Sequence, residues 1–424
     1  MRVNYCNIVA HHLMWCEISP QCFLRGKTMK RSNLHLRRPE LDTEKWVKQS
    51  KKVIPHLFFN TVADYSERKA IGTARKKKYS YISYRVLREK VLAFAAELIS
   101  SQLPPLAKVA VLSENREEWV VFDLGTMSAR LINVPIYPTL TAHQMKYILN
   151  HCGVELILVS NQIHYDKVAS LLDELPQLQT ILYMKPGIKV KKHTRVESLL
   201  YKDFLRRGKD RLLEGKGLRE KIFQRIESQK EDDVCSIIYT SGTTGDPKGV
   251  MLMHKNFIVS ANEGLHVQFA EATRGGRIPS ELSFLPLAHV LERAVLYALV
   301  VLGGGTVAFA ESFDSIAKNL KEVKPSIFVG VPRIYEKFYG KIQDQLSQAS
   351  WFKKKIFAWA LEVGKEVFER EMEKKAVPIK WQIQYKLAHK LVFEKVHKKL
   401  GGHIRSMVSG GAPLQEEVGE FFCY

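Results

Sequence analysis

The sequence has no apolar run long enough to cross a bilayer. The nearest, Ala294 to Leu302, stops at Gly303-Gly304-Gly305, well short of the roughly 18 uninterrupted apolar residues that a helical span needs. It also has no C-x-x-C pair. Cys6, Cys16, Cys22, Cys152, Cys235 and Cys423 are scattered along the chain, which argues against a disulfide framework and for reduced thiols in a cytosolic compartment. Cys6, His11, His12, Cys16 and Cys22 lie near one another, but their spacing fits no usual zinc site. The first residues show no basic stretch leading into a long apolar core, so no secretory signal is expected, and Met29 is an alternative start. Acidic residues are few: 44 Asp and Glu stand against 65 Lys and Arg, a formal net charge of +21. That excess favours anionic partners, among them nucleotides, anionic cofactors and acidic lipid headgroups, or else forms a solvated basic surface. No recognised DNA- or RNA-binding module accompanies it.

What is present is an α/β pattern over most of the 424 residues. Residues 1–42 show no clean periodicity and are expected to be an irregular extension. From Thr43, helices are expected at His56 to Ser66 and Ser83 to Ser101, with a strand at Tyr79 to Ile82 between them. Strands follow at Lys108 to Leu112, Leu131 to Tyr137 and Val154 to Val159, alternating with helices. Asn115 with Glu118, and Thr141 with Gln144, carry the spacing of a capping box at two helix starts. Strands alternating with helices of this length mean a mostly parallel sheet covered by helices. Residues 185–233 are rich in Lys and Arg and are expected to be a basic surface insertion with exposed helices, dividing a first α/β half (43–184) from a second (234–424). In the second half, strands are expected at Val234 to Tyr239, Val250 to Met253, Leu282 to Leu285, Thr306 to Phe309, Ser326 to Val329 and His403 to Val408. Trp351 to about Leu400 reads as two long basic amphipathic helices broken at Pro378.

One stretch organises the chemistry. Ile237-Ile238-Tyr239-Thr240-Ser241-Gly242-Thr243-Thr244-Gly245-Asp246-Pro247-Lys248-Gly249 joins a buried strand to a second apolar run through hydroxyls, glycines and one lysine. Gly242 and Gly245 let the backbone approach a ligand closely. Successive N–H groups in such a turn make a nest for anionic oxygens. Thr240, Ser241, Thr243 and Thr244 add hydroxyls and Lys248 adds a positive charge, which is equipment for holding a polyphosphate. The spacing is not that of a Walker A loop, because Lys248 lies between Pro247 and Gly249. A ligand-free Ser/Thr/Gly-rich hairpin turn is the bland alternative.

That string resembles the phosphate-binding signature of the AMP-forming adenylate ligases. Three more stretches narrow the resemblance to long-chain fatty acid–CoA ligases: Leu285-Pro286-Leu287-Ala288-His289-Val290-Leu291-Glu292-Arg293, Val331-Pro332-Arg333-Ile334-Tyr335-Glu336-Lys337, and Ser409-Gly410-Gly411-Ala412-Pro413-Leu414. The resemblance covers residue 43 to the end. It implies ATP, Mg²⁺ and coenzyme A as cofactors or co-substrates, and a long-chain fatty acid as substrate. It places Thr240, Ser241, Gly242, Thr243, Thr244, Gly245 and Lys248 on the phosphates, with Thr244 also toward the metal. Gly410, Gly411 and Ala412 would line the adenine. His289, at a strand end, would lie near the acyl carboxylate, and Thr244, His289 and Lys248 are the expected catalytic set.

The family pattern continues beyond Tyr424 with a Mg²⁺-binding Glu, a ribose-binding Asp and a lid domain carrying a catalytic Lys. The expectation is therefore an incomplete adenylate-ligase domain without its lid, weakly active or inactive by itself. Two alternatives stay open: a non-catalytic nucleotide-binding remnant, and an acid–thiol ligase for a shorter or aryl acid. The expected location is cytoplasmic, with peripheral association at a membrane surface.

Overall fold

The computed structural model describes residues 16–18, 53–75, 78–215, 217–240, 246–373 and 375–423. In chain order the strands are β1 (Cys16–Ile18), β2 (Lys69–Arg75), β3 (Lys78–Ser83), β4 (Lys108–Leu112), β5 (Ile132–Ile136), β6 (Val154–Val159) and β7 (Thr180–Tyr183). They continue as β8 (Glu197–Leu200), β9 (Val234–Thr240), β10 (Lys248–Met253), β11 (Ser280–Ser283), β12 (Thr306–Phe309), β13 (Ile327–Gly330) and β14 (Ser406–Ser409). The chain divides into a larger unit, residues 42–265 with 283–309, and a smaller one, residues 1–41, 266–282 and 310–424.

The larger unit holds a sheet in the order β10-β9-β5-β4-β6-β7-β8. Neighbours are parallel except β10, which returns antiparallel along β9. The centre of this sheet is built from continuous apolar runs. Every residue of β5 and all but the first of β4 are buried, as expected where both faces of a parallel sheet are covered. The helix Ala142–Cys152 between β5 and β6 starts at the Thr141–Gln144 capping box read from the sequence. Thr141 Oγ1 accepts from the Gln144 N–H at 3.3 Å, and Gln144 Oε1 accepts from the Thr141 N–H at 3.1 Å. It ends at Gly153, whose φ of +65° suits a left-handed cap. In the same unit β2 runs parallel to β12 and antiparallel to β3.

Two expectations in this unit are corrected. Asn115 does not cap the next helix. That helix is Glu117–Ser128, its N-cap is Arg116, and no side chain caps it. The basic stretch after residue 185 is also more than an exposed excursion. Glu197–Leu200 adds β8 to the sheet edge, and the helix Tyr201–Glu214 docks on the helix Tyr84–Ser100. Phe204 is buried with its ring centroid 5.2 Å from that of Phe94, and Arg211 Nε donates to Glu97 Oε2 at 2.7 Å. Gly208 permits the approach: a Cβ there would sit 1.9 Å from the Ala93 carbonyl oxygen.

In the smaller unit β13 pairs parallel with β14 and with β11, while β1 runs antiparallel to β14. The expected pair of long helices is present as Trp351–Met372 and Ile379–Ala388. The second continues through a π-helical turn, His389–Phe393, into Glu394–Lys399. Pro378 stands at its N-cap, where a missing N–H costs nothing to the helix ladder. Ala360, Val363 and Val367 of the first helix pack with Tyr385, Ala388 and Val392 of the second. The fold is thus α/β, with helices flanking mostly parallel sheets, as the sequence pattern predicts.

Candidate functional site

β9 and β10 form a hairpin whose register sets Thr240 opposite Lys248, Tyr239 opposite Gly249 and Ile238 opposite Val250. Thr240 and Lys248, both exposed, therefore face each other at the mouth of the loop. Ser241, Gly242, Thr243, Thr244 and Gly245 lie outside the described residues. The strand leading to them is anchored from the side. The Tyr239 hydroxyl lies 2.5 Å from His151 Nδ1 and 3.2 Å from Cys152 Sγ, at the end of the capped helix. Burial raises the Tyr239 pKa further above its ordinary value, so the hydroxyl stays neutral.

His289 stands at the N-cap of the helix Val290–Leu296, six residues after β11 has ended at Ser283. It thus lies at a helix start and not at the strand end expected from the sequence. Its Nδ1 accepts from the Leu291 N–H at 3.2 Å, which leaves Nε2 as the nitrogen that can meet a ligand. Part of the ring reaches solvent, yet the surrounding protein desolvates it enough to lower its pKa, which favours neutral imidazole at pH 7.

The turn before His289 is held by Asn115. Asn115 Nδ2 donates to the Leu285 carbonyl at 2.6 Å and to Ser283 Oγ at 3.1 Å, and its Oδ1 accepts from the Leu287 N–H at 2.8 Å. One side chain thus fixes both ends of Leu285-Pro286-Leu287. The sequence marked Asn115 only as a local cap, because the cap residues are the same ones that bind backbone at a distance.

One turn beyond His289, Arg293 is fully buried. It forms an ion pair with Asp123, which is equally buried. Arg293 Nε also donates to Tyr297 Oη at 2.8 Å and Arg293 Nη1 to Ser236 Oγ at 2.6 Å. The Tyr297 hydroxyl and Asn133 Nδ2 each donate to Asp123 at 2.6 Å, and Ser236 Oγ donates to the Asn133 carbonyl at 2.8 Å. Burial, the largest influence, would lower the Arg293 pKa, but the charge and hydrogen bond of Asp123 together with Tyr297 and Cys235 raise it on balance. This network joins the helix that begins at His289 to β9, which leads to the loop. Arg293 closes the motif Leu285 to Arg293, and the sequence pattern assigns it no role. The available signal is a charge beside an apolar run, matched by Asp123 within the apolar stretch Trp119 to Leu124.

In the smaller unit, β13 and β14 end side by side, with Gly330 opposite Ser409. The Gly410 N–H donates to the Gly330 carbonyl at 3.0 Å. Gly411 follows with φ of +83°, a conformation that suits glycine, and Gly411 and Ala412 are exposed. Ligands of open α/β sheets bind beyond such carboxyl ends. Gly410, Gly411 and Ala412 therefore form one continuous exit turn on a strand end. Among the described residues no group of three or more His, Cys, Asp or Glu could hold a metal ion. That donor set suits Mg²⁺ only if phosphates and water supply most of its ligands, as they commonly do.

The fold is α/β, with a hairpin on a mostly parallel sheet whose connecting sequence is rich in hydroxyls and glycine. The chain matches the AMP-binding enzyme family over residues 58–423 and belongs to that family. It is 34% identical over 374 residues to a long-chain-fatty-acid–CoA ligase of Xenopus laevis, covering 87% of this chain and 49% of the relative. It is 32% identical over 377 residues to the human long-chain-fatty-acid–CoA ligase ACSBG2, covering 87% and 54%. The chain spans about half the length of these curated relatives. Its fold is similar to the A-PCP didomain of a carboxylic acid reductase from Segniliparus rugosus solved with AMP. That likeness has a TM-score of 0.62 and 20% identity, covering 91% of this chain and 53% of that one.

Proposed function

We propose that this chain is the nucleotide- and acyl-binding part of an AMP-forming long-chain fatty acid–CoA ligase. Two steps make up the reaction. A fatty carboxylate oxygen attacks the α-phosphorus of ATP, the bond to the β-phosphate breaks, and pyrophosphate leaves with acyl-AMP formed. The thiolate of coenzyme A then attacks the acyl carbonyl and AMP departs. Thr240, Ser241, Gly242, Thr243, Thr244, Gly245 and Lys248 hold the β- and γ-phosphates, and Gly410, Gly411 and Ala412 line the adenine. His289 presents a neutral imidazole toward the acyl carboxylate. Mg²⁺, carried by the phosphates with Thr244 as its protein ligand, would neutralise charge on the phosphates. The observation that carries this reading is the β9–β10 hairpin, which delivers Thr240 and Lys248 to the two sides of the signature loop. The acyl-CoA ligases among the relatives supply the substrate class.

The same reading places the protein on the cytoplasmic side, in peripheral contact with an anionic membrane surface, on the strength of its net charge of +21. No described helix is long and apolar enough to cross a membrane. Fatty-acid-dependent ATP–pyrophosphate exchange, run with long-chain, medium-chain and aryl acids, tests the chemistry. Exchange should be strongest with long chains, and Thr244→Ala should lose more of it than Asp246→Ala. Equal losses would overturn the loop assignment, and ATP binding without exchange would identify a non-catalytic nucleotide binder.

A further inference from the structure

The helix that runs from Ile379 to Lys399 has a second apolar face. Tyr385, Ala388 and Val392 point into the contact with the helix Trp351–Met372. At 100° per residue the opposite side carries Ile379, Ile383 and Leu387, and the stripe continues at Leu391 through the π turn. These four are 74%, 62%, 50% and 37% exposed. Their four-residue spacing makes a continuous ridge roughly 18 Å long. Surface helices of globular proteins are ordinarily polar on the side away from the core, so a ridge of this length calls for an apolar occupant.

The charges beside the ridge say which one. Lys380, Lys386, Lys390, Lys395, Lys398 and Lys399 are all exposed, and Glu394 is the only acidic residue from 379 to 399. A second copy of this face would bring lysines against lysines, because a twofold contact sets the same patch on itself. A nucleic acid would satisfy the lysines but leave four aliphatic side chains in water. An anionic bilayer satisfies both: aliphatic side chains enter the acyl boundary while lysine stems reach back to the headgroups.

We infer that this outer face, Ile379, Ile383, Leu387 and Leu391 rimmed by Lys380, Lys386 and Lys390, is the docking surface for an anionic membrane. The inference deepens the membrane association proposed above and rests on it. The test is co-sedimentation of the 424-residue chain with vesicles of phosphatidylcholine, alone or mixed with phosphatidylserine. Binding should require phosphatidylserine and weaken at high salt. Ile383→Asp/Leu387→Asp and Lys386→Glu/Lys390→Glu should each lower partitioning by roughly tenfold or more. Leu213→Asp, at a still more exposed leucine on another helix, should leave it unchanged. Absence of vesicle binding would overturn both the association and its location. Vesicle binding that survives Ile383→Asp/Leu387→Asp, or falls as far with Leu213→Asp, would overturn the location alone. Self-association in light scattering that Leu387→Asp abolishes would assign the face to a second copy and overturn the membrane proposal.

Discussion

Arg293 and Asp123 offer the sharpest test of how this fold holds its site. Both side chains are fully buried, and the pair is bonded to Tyr297, Ser236 and Asn133. Arg293→Met keeps the volume of the aliphatic stem but leaves Asp123 as a buried charge with two neutral donors, Tyr297 and Asn133. Removing one partner of such a pair costs about 3–5 kcal/mol, because the remaining charge has neither water nor its counter-ion. For a unit of this size that lowers the melting temperature by roughly 6–20 °C. The double variant Arg293→Met/Asp123→Asn removes both charges and keeps an acceptor for the Tyr297 hydroxyl, so most of the loss should be recovered. Its tie to Ser236 on β9 stays broken, however, and its affinity for ATP should remain below that of the parent. Thermal melting followed by circular dichroism, with calorimetric ATP binding on the same samples, separates the two effects. A single variant melting within about 2 °C of the parent would refute the energetic argument. A double variant as unstable as the sum of its singles would refute the claim that the uncompensated charge dominates.

Three other outcomes follow from the packing and hydrogen bonding of the larger unit. The buried His254 accepts from the Ile54 N–H at Nδ1, 3.3 Å, so Nε2 carries the proton that reaches Gln229 Oε1 at 2.9 Å. Burial lowers its pKa from 6.5 to about 4. The unfolded chain binds that proton first, so stability is full above about pH 6.5 and falls by about 3 kcal/mol as pH drops to 4; His254→Gln should flatten this part of the melting profile. Gly208→Ala gains about 1 kcal/mol of helix propensity but sets a methyl 1.9 Å from the Ala93 carbonyl oxygen. The overlap should win by about 1–3 kcal/mol, and a raised melting temperature would show that the two helices are not packed this closely. Asn115→Ala frees both ends of the Leu285–Leu287 turn and should reduce pyrophosphate exchange several-fold while shifting the melting temperature by only a few degrees, a contrast that fails if the two fall together.

How much of this was legible depended on where each residue's partner lies. β4 was read to the residue because a strand buried on both faces must be apolar throughout, and nothing distant alters that requirement. The Thr141–Gln144 box was read equally well, since both halves of the motif sit within one helical turn. β2, β7 and β8 were missed. β2 mixes Lys, Gly, Thr and Arg with its apolar residues and takes β12, more than 200 residues away, as a partner beside the adjacent β3, while Thr180–Tyr183 and Glu197–Leu200 extend the sheet from within polar surroundings. Asn115 shows the boundary most clearly. Its side chain has the same donors and acceptor whether it caps a helix three residues on or clamps a turn 170 residues on, and sequence spacing favours the near partner by default.

The basic helix Tyr201–Glu214 was misread for a different reason. Arg206, Arg207, Lys209 and Arg211 suggest a solvated surface, and all four are exposed. The sign of docking is the residue that contributes nothing by itself, Gly208. A glycine inside a helix gives up about 1 kcal/mol against alanine, and here that cost is offset by a close backbone approach that no other residue allows. Arg293 follows the same logic with opposite chemistry: a charge in an apolar segment is tolerated only where a partner such as Asp123 awaits it. In both cases the informative residue is the one that looks locally unfavourable. That is why the strand leading to Thr240 is best understood through Arg293, whose charge makes sense only beside Asp123, and the turn leading to His289 through Asn115, whose partners lie about 170 residues away.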